Sequence, residues 1–377
     1  MAQGPSLKQI MAVAGLMLLV PTAAGAQAVI HPSSPTCSNC RIVVHRIARL
    51  GDEDGAGSFP GYPTSIAQDS KGRFLVVMHQ PSGEAPWIFD RTGHFLQRVG
   101  RSGEGPGEYR GARVVVPSRG DSIHVFDAVL ARQTVLGSDM QVVRTTTSPR
   151  NIDAAIQLKS GVFILNANVT DAARIGLTYH EFLADGSYVT SFGEPGIRVL
   201  PFQPVTTTRW LAPASDGGFW AVPWAYHYRI EHWTAQFKLD RVLEPRFRWY
   251  VPYDSIQAPT LRRPPQATLF GVWEDGAHHL LWTLGQAADP HWVSALGKPR
   301  MVEGSEIFPI DDRQGAYDSV LDVFDARSGA LLASTRLPFT LELVVRPGIV
   351  AGVREDDMGR LFAEVWAVSF NNQEAAR

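Results

Sequence analysis

Histidines and carboxylates are the side chains that could bind a metal ion or transfer protons, but in this chain they form no recognised motif. The 11 histidines include no His-x-His and no His-x-x-x-His pair. His278 and His279 are adjacent, so in a strand they point to opposite faces and cannot bind one ion together. A Gly-x-Ser-x-Gly sequence, which would expose a nucleophilic serine on a sharp turn, does not occur. We therefore assign neither a metal site nor a catalytic set.

The glycine-rich run from Val99 to Tyr109 is a second candidate, because glycine-rich loops can surround phosphate groups. No lysine follows it, as a P-loop requires, and the next residues are the β-branched run 114–116 instead of an amphipathic helix. We interpret it as a connection in which glycine supplies positive φ and Pro106 restricts the chain.

Cys37 and Cys40 are the only cysteines and form a Cys-x-x-Cys sequence. A c-type haem site would need histidine where Arg41 stands, and a zinc site would need further ligands nearby. The strand–helix context of a redox motif is also missing. We expect either a local disulfide or two free thiols, dispensable for the fold in both cases.

The N-terminus has the features of a secretory signal peptide. Lys8 precedes an apolar run over 10–20, too short to span a membrane, and Ala-Gln-Ala at 26–28 is an A-x-A cleavage site. We predict a signal peptide over 1–28 and a mature chain that begins at Val29, is exported to the periplasm or secreted, and has no transmembrane anchor. Retention of the segment as an anchor is the alternative.

Short strands joined by glycine turns are the elements that would position a site. The glycines of the first hairpins recur 41 to 72 residues apart, at Gly72, Gly120, Gly161, Gly217, Gly276 and Gly348. Such spacing is typical of four-stranded propeller blades. It predicts an all-β, six-bladed β-propeller over 41–370, preceded by a segment over 29–40 and followed by a tail over 371–377. The last unit has only three strands, so we predict that residues 41–50 close it.

Three stretches of the first two units carry a family resemblance. They are Gly-Arg-Ser-Gly-Glu-Gly-Pro-Gly-Glu-Tyr at 100–109, Ile-Ala-Gln-Asp-Ser-Lys-Gly-Arg-Phe at 66–74 and Ile-Phe-Asp-Arg-Thr-Gly at 88–93. They resemble the exported bacterial six-bladed β-propellers related to NHL repeats. The resemblance implies the fold but no single reaction, since members include binding modules, scaffolds, lyases and lactonase-like hydrolases. Lactonase-like members bind calcium through polar inner strands, whereas the inner strands here are mainly apolar.

The face of a propeller that carries the loops between second and third strands, and between blades, is where ligands usually bind. That face would present Trp224, Tyr226 and His227, together with His291 from an insertion over about 285–316. We predict that these four residues contact the ligand, because aromatic rings provide contact area with a polar group.

The nearly balanced charge, 35 basic against 37 acidic residues, excludes a strong electrostatic attraction to nucleic acid. The sequence thus favours an exported, monomeric binding or protein-interaction propeller. Its partner is an unidentified small molecule, peptide or protein, and no cofactor is assigned. A metal-dependent propeller hydrolase or lyase is the alternative.

Overall fold

Six four-stranded antiparallel sheets, the blades, make up most of the chain. The computed structural model describes residues 28–51, 55–79, 85–167, 169, 177–193, 208–302 and 304–372. From the innermost strand outward, blade 1 contains Tyr62–Gln68, Phe74–His79, Trp87–Phe89 and Phe95–Arg98; blade 2 contains Ala112–Pro117, Ile123–Asp127, Arg132–Leu136 and Val142–Thr147; and blade 3 contains Ile152–Gln157, Phe163–Ala167, Tyr179–Phe182 and Tyr188–Phe192.

The second half of the ring is built in the same way. Blade 4 contains Arg209–Pro213, Phe219–Pro223, Ile230–Trp233 and Leu239–Leu243; blade 5 contains Thr268–Asp275, Leu280–Ala288, Tyr317–Asp325 and Leu331–Leu337; and blade 6 contains Leu343–Arg346, Ile349–Glu355, Leu361–Asn372 and Cys40–Leu50. Each innermost strand contacts the innermost strand of the next blade, and that of blade 6 contacts that of blade 1. The six-bladed propeller predicted from the sequence is confirmed.

The N-terminal strand closes the ring as predicted. Cys40–Leu50 pairs antiparallel with Leu361–Asn372, with Cys40 opposite Asn372 and Leu50 opposite Ala363. Leu50 is fully buried. The outer edge of blade 6 is therefore supplied by the other end of the chain, which ties the two ends together.

Local side-chain chemistry explains the hairpin turns. In blade 1, Asp90 Oδ1 accepts hydrogen bonds from the backbone N–H groups of Thr92, Gly93 and His94, at 2.8 to 3.0 Å. Gly93 has a φ of 104°, in the region that favours glycine. An aspartate followed by a glycine three residues later thus fixes the turn, which is why the turns could be read from the sequence.

Aromatic side chains fill the spaces between blades. Between blades 3 and 4, Phe219 stacks on Trp233 with ring centroids 6.0 Å apart, and Tyr179 meets both rings edge-on at 5.2 Å. All three side chains are buried. Packing of this kind contributes to the apolar burial that holds blades 3 and 4 together.

The glycine-rich run is a structural connection between blades 1 and 2. Its two-residue strands Arg101–Ser102 and Glu108–Tyr109 pair with each other, and Tyr109 is fully buried. Arg132 of blade 2 donates to the carbonyl oxygens of Glu104 and Gly105, both at 2.7 Å. The run thus acts as a connection, as we inferred from the sequence.

The N-terminal segment does more than precede the ring. Ala28–Ile30 pairs in parallel with Leu239–Leu243 and forms a fifth strand at the outer edge of blade 4, which was not predicted. Cys37 and Cys40 form a disulfide with their Cα atoms 5.5 Å apart. The predicted signal peptide lies outside the described residues, apart from Ala28, as do residues 373–377.

In the part of the chain that the structure describes, two long segments next to blade 5 depart from the repeat. The insertion extends over 289–316, slightly shorter than predicted, and contains the 3₁₀ helix Trp292–Ala295, a hairpin of Arg300–Val302 and Ser305–Ile307, and the one-turn helix Arg313–Ala316. The connection over 244–267, which leads from blade 4 to blade 5, has neither helix nor strand. A short 3₁₀ helix, Arg119–Asp121, joins two strands of blade 2.

Candidate functional site

The innermost strands of all six blades line a central channel with a volume of about 340 Å³. The lining is mainly apolar, in agreement with the expectation from the sequence. Four blades also contribute polar side chains, on or next to their innermost strands: Thr64, Ser65, Gln68, Asp153, Gln157, Glu274, Glu342 and Arg346. The sequence did not show which of these polar residues would face the channel, because that depends on the geometry of the closed ring.

Five hydrogen bonds and one ion pair link neighbouring blades around one end of the channel. We call this arrangement the mouth ring. From blade 6 onward its links are Tyr62 Oη to Glu342, Thr64 Oγ1 to the carbonyl oxygen of Arg113 (3.2 Å), Arg113 Nη2 to Asp153 (2.9 Å), Thr208 Oγ1 to Asp153 (3.1 Å), Leu269 N–H to the carbonyl oxygen of Trp224 (2.9 Å) and Arg313 Nη2 to Glu342 (3.0 Å). A closed set of links holds this end of the channel in one shape, as a binding site requires.

Glu342 is the most buried charged member of the mouth ring, with 4% of its side chain exposed. It accepts hydrogen bonds from the hydroxyl of Tyr62 and the backbone N–H of Val353, and it forms an ion pair with the guanidinium of Arg313. Burial, together with the negative charge of Glu342, raises the pKa of Tyr62 far above its ordinary value. Tyr62 therefore stays a hydrogen-bond donor, and the carboxylate is paired despite its burial.

Asp153 has the corresponding position on the opposite side of the mouth. Its two oxygens accept hydrogen bonds from Arg113 and Thr208. Burial raises the pKa of Asp153, and the guanidinium of Arg113 opposes that shift. Two arginine–carboxylate pairs therefore face each other across the channel.

Beside the mouth ring lies a smaller cavity of about 120 Å³, which we call the aromatic shelf. It is lined by Trp224, Tyr253, Phe270, Tyr317 and Arg313, along with Ile256, Gln257, Pro259, Pro265, Gln266, Thr268 and Gln286. Phe270 also lines the channel, so the two cavities meet at its ring.

The guanidinium of Arg313 stands between two rings of the aromatic shelf. Its central carbon lies 5.8 Å from the ring centroid of Phe270 and 5.5 Å from that of Tyr317. These distances are within the range of cation–π attraction. The shelf therefore combines an apolar floor with one cationic group.

The four residues predicted to contact a ligand occupy different environments. Trp224 is half-buried and lines the aromatic shelf. Tyr226 packs against Tyr253, with their ring centroids 5.5 Å apart. His227 is exposed, and His291 has 90% of its side chain exposed, 3.5 Å from Asp289. Of the four, only Trp224 is among the described residues that line the channel or the aromatic shelf. Ligand contact by these residues stays a prediction.

Sequence reasoning missed most of the aromatic shelf. Tyr253 belongs to the connection over 244–267, where its N–H donates to the carbonyl oxygen of Tyr226 (3.1 Å) and its hydroxyl to that of Ala267 (2.9 Å). Arg313 and Tyr317 stand at the end of the insertion. The unusual length of both segments was the available signal, because long loops in compact domains are often functional.

Within the residues that the structure describes, no group of three or more His, Cys, Asp or Glu side chains could hold a metal ion. In the same part of the chain, none of the helices has the length and apolar character needed to cross a membrane.

The geometry defines a six-bladed β-propeller with a structured opening at one end of its channel. No family model and no curated protein matches this chain. A member of the DUF4221 family from Bacteroides vulgatus has a similar structure, with a TM-score of 0.58 and 10% identity over 89% of this chain and 99% of its own. A putative exported protein from Bacteroides fragilis has a TM-score of 0.54 and 10% identity, over 90% and 99% of the two chains.

More distant structures include virginiamycin B lyase from Staphylococcus aureus, with a TM-score of 0.45 and 10% identity over 88% of this chain and 99% of its own. At these identities the likenesses show the fold alone. A six-bladed propeller has thus been found, while its relation to NHL repeats has not been established by any of these structures.

Proposed function

We propose that this chain is an exported, monomeric binding propeller, related to NHL-repeat proteins, that takes a small molecule or a peptide at the mouth ring and aromatic shelf. The observation that carries the proposal is the closed hydrogen-bonded ring, which holds the shelf residue Trp224 and the cation Arg313 in fixed positions beside the channel. Preorganised sites of this kind lose little conformational freedom when a ligand binds.

The pairing of the two buried carboxylates of the mouth ring supports a binding role. Glu342 and Asp153 are both paired with arginine, and each accepts a further hydrogen bond from a hydroxyl group. The two carboxylates thereby hold the side chains of Tyr62, Arg113, Thr208 and Arg313 in defined positions. Periplasmic or secreted localisation follows from the predicted signal peptide and agrees with the description of the Bacteroides fragilis structure as exported.

The proposed binding site is tested by screening a chemically diverse library of small molecules for compounds that raise the melting temperature of the protein. Ligands that stabilise the protein are titrated against Trp224→Ala and against Tyr188→Ala, whose exposed ring lies on the outermost strand of blade 3. We expect Trp224→Ala to weaken binding about tenfold, because stacking on an aromatic ring and its burial are lost. Ligands whose affinity is unchanged by Trp224→Ala would contradict the placement of the site.

Elemental analysis of the purified protein distinguishes this function from the alternative drawn from the sequence. One tightly held metal ion per chain would favour a metal-dependent hydrolase or lyase over a binding protein. The binding proposal expects ligand affinity to be unchanged after treatment with a chelator.

A further inference from the structure

We propose that the ligand class of the aromatic shelf is a compact aromatic carboxylate, whose carboxylate accepts hydrogen bonds from Arg313. This inference rests on the proposed function and adds the chemistry of the ligand. It depends on three features of the site: how Arg313 is held, the charge around it, and the size and walls of the cavity.

Arg313 is held by its own helix and by two acceptors. Ala316, at the end of the helix Arg313–Ala316, is fully buried, and the side chain of Gln314 donates to the carbonyl oxygen of Val353 at 3.0 Å. Nη2 of Arg313 forms an ion pair with Glu342 at 3.0 Å and donates a hydrogen bond to Gln286 Oε1 at 3.1 Å. The guanidinium thus has a fixed position.

The rest of that guanidinium is available to a ligand. Nε and Nη1 of Arg313 have no hydrogen-bond partner among the residues that the structure describes, and 43% of the side chain is exposed. Because Arg313 lines the shelf, its remaining N–H donors are at the boundary of the cavity. Charge-assisted hydrogen bonds to a carboxylate are about twice as strong as neutral ones.

Arg313 belongs to a network of ion pairs that joins three arginines and two glutamates. Glu342 pairs with Arg313, while Glu364 pairs with both Arg354 and Arg46. Arg354 also lies close enough to Glu342 for the two charges to interact. Arg46 is half exposed on the outermost strand of blade 6, so the positive charge that a ligand would meet at the shelf is that of Arg313 itself.

The size and walls of the aromatic shelf limit the part of the ligand that carries the carboxylate. A volume of about 120 Å³ is well below that of a pocket for drug-sized molecules, roughly 300–1,000 Å³, and leaves room for one ring. Trp224, Tyr253, Phe270 and Tyr317 present aromatic surface to it. A single aromatic ring that carries a carboxylate matches both the walls and the charge.

Phenylacetate and phenylacetamide test the inference, because they share one ring and differ mainly in charge. Each is titrated by ligand-observed NMR against the wild-type protein, Arg313→Gln, and the control Arg327→Gln, which changes an exposed arginine in the last hairpin turn of blade 5. We expect the wild type and the control to bind phenylacetate at least about tenfold more tightly than phenylacetamide. In Arg313→Gln the preference is lost, while phenylacetamide binds within about twofold of its wild-type affinity.

A second variant is needed because Arg313→Gln leaves the buried Glu342 without its cation and could disturb the fold. The double variant Arg313→Gln/Glu342→Gln removes both charges and should also lose the preference, with its fold checked by circular dichroism. Equal binding of both probes by the wild type, binding of neither up to their solubility limit, or a preference that persists in both variants would overturn the inference. The proposed function fails separately, if library ligands are insensitive to Trp224→Ala.

Discussion

The buried carboxyl group of Asp322 should destabilise the fold more at neutral than at acidic pH. Asp322 lies fully buried in the third strand of blade 5, where its Oδ2 accepts a hydrogen bond from Tyr228 at 2.7 Å. Tyr228 is also hydrogen-bonded to Thr283. Burial raises the pKa of Asp322 from 3.8 to about 6, although the hydrogen bond from Tyr228 favours the ionised form. The perturbation we choose is Asp322→Asn, which keeps the acceptor for Tyr228 and removes the charge.

The size of the change in the free energy of unfolding follows from the difference between the pKa values of Asp322 in the folded and unfolded chains. Because the folded-state value is the higher one, Asp322 is more fully protonated in the folded than in the unfolded chain between pH 4 and 6, so its contribution to stability falls as pH rises through that window. At 1.36 kcal/mol per pKa unit, the ionised carboxylate costs about 3 kcal/mol at neutral pH. About 2 kcal/mol of this cost develops between pH 4 and pH 8.

Urea unfolding followed by tryptophan fluorescence measures the effect at pH 4 and pH 8. The free energy of unfolding of Asp322→Asn, relative to the wild type, should rise by about 2 kcal/mol between the two pH values. Asp357→Asn, at an exposed turn residue, shows the effect of removing a carboxylate from the surface. If the difference between Asp322→Asn and the wild type is the same at both pH values, the raised pKa of Asp322 is refuted.

Three further predictions concern the ring and its connections. Deletion of residues 29–50 removes the strand that completes blade 6 and should give an aggregating or low-melting protein, whereas deletion of 29–38 leaves that strand in place; equal melting temperatures for the first deletion and the full chain would contradict ring closure. Replacing Cys37 and Cys40 by serine should cost no more than about 2 kcal/mol in chemical unfolding, because the closed loop is very short. Arg132→Met should lower the free energy of unfolding by about 1–3 kcal/mol, because two carbonyl oxygens of the glycine-rich connection lose their hydrogen-bond donor. An unchanged midpoint of urea unfolding would contradict this prediction.

The candidate site could be inferred from the sequence only in outline. Trp224 was found because it follows a strand at the end where propeller loops gather, and it does line the aromatic shelf. His291 was chosen for its place in a long insertion, yet its side chain is almost fully exposed. Arg313, in the same insertion, lines the shelf instead, because the helix there packs against the ring through Ala316. Nothing in the local sequence distinguishes these two residues.

The sequence by itself determined the blades, their number and the closure of the ring. Those features depend on local chemistry that can be read in order: an aspartate and a glycine fix a turn, as at Asp90 and Gly93, and alternating apolar residues fix the buried face of a strand. Residues 41–50 were recognised as the missing strand because they share this pattern and the last unit lacked a partner.

Only the tertiary structure decided what surrounds the channel. The mouth ring joins Tyr62 to Glu342 and Arg113 to Asp153, residues that are distant in sequence and meet because six blades close into one circle. The fifth strand of blade 4, Ala28–Ile30, pairs with an edge that no local signal identifies. Backbone pairing and ion pairs between distant segments depend on the relative positions of whole blades, and those positions come from packing between sheets instead of from the preferences of any single stretch.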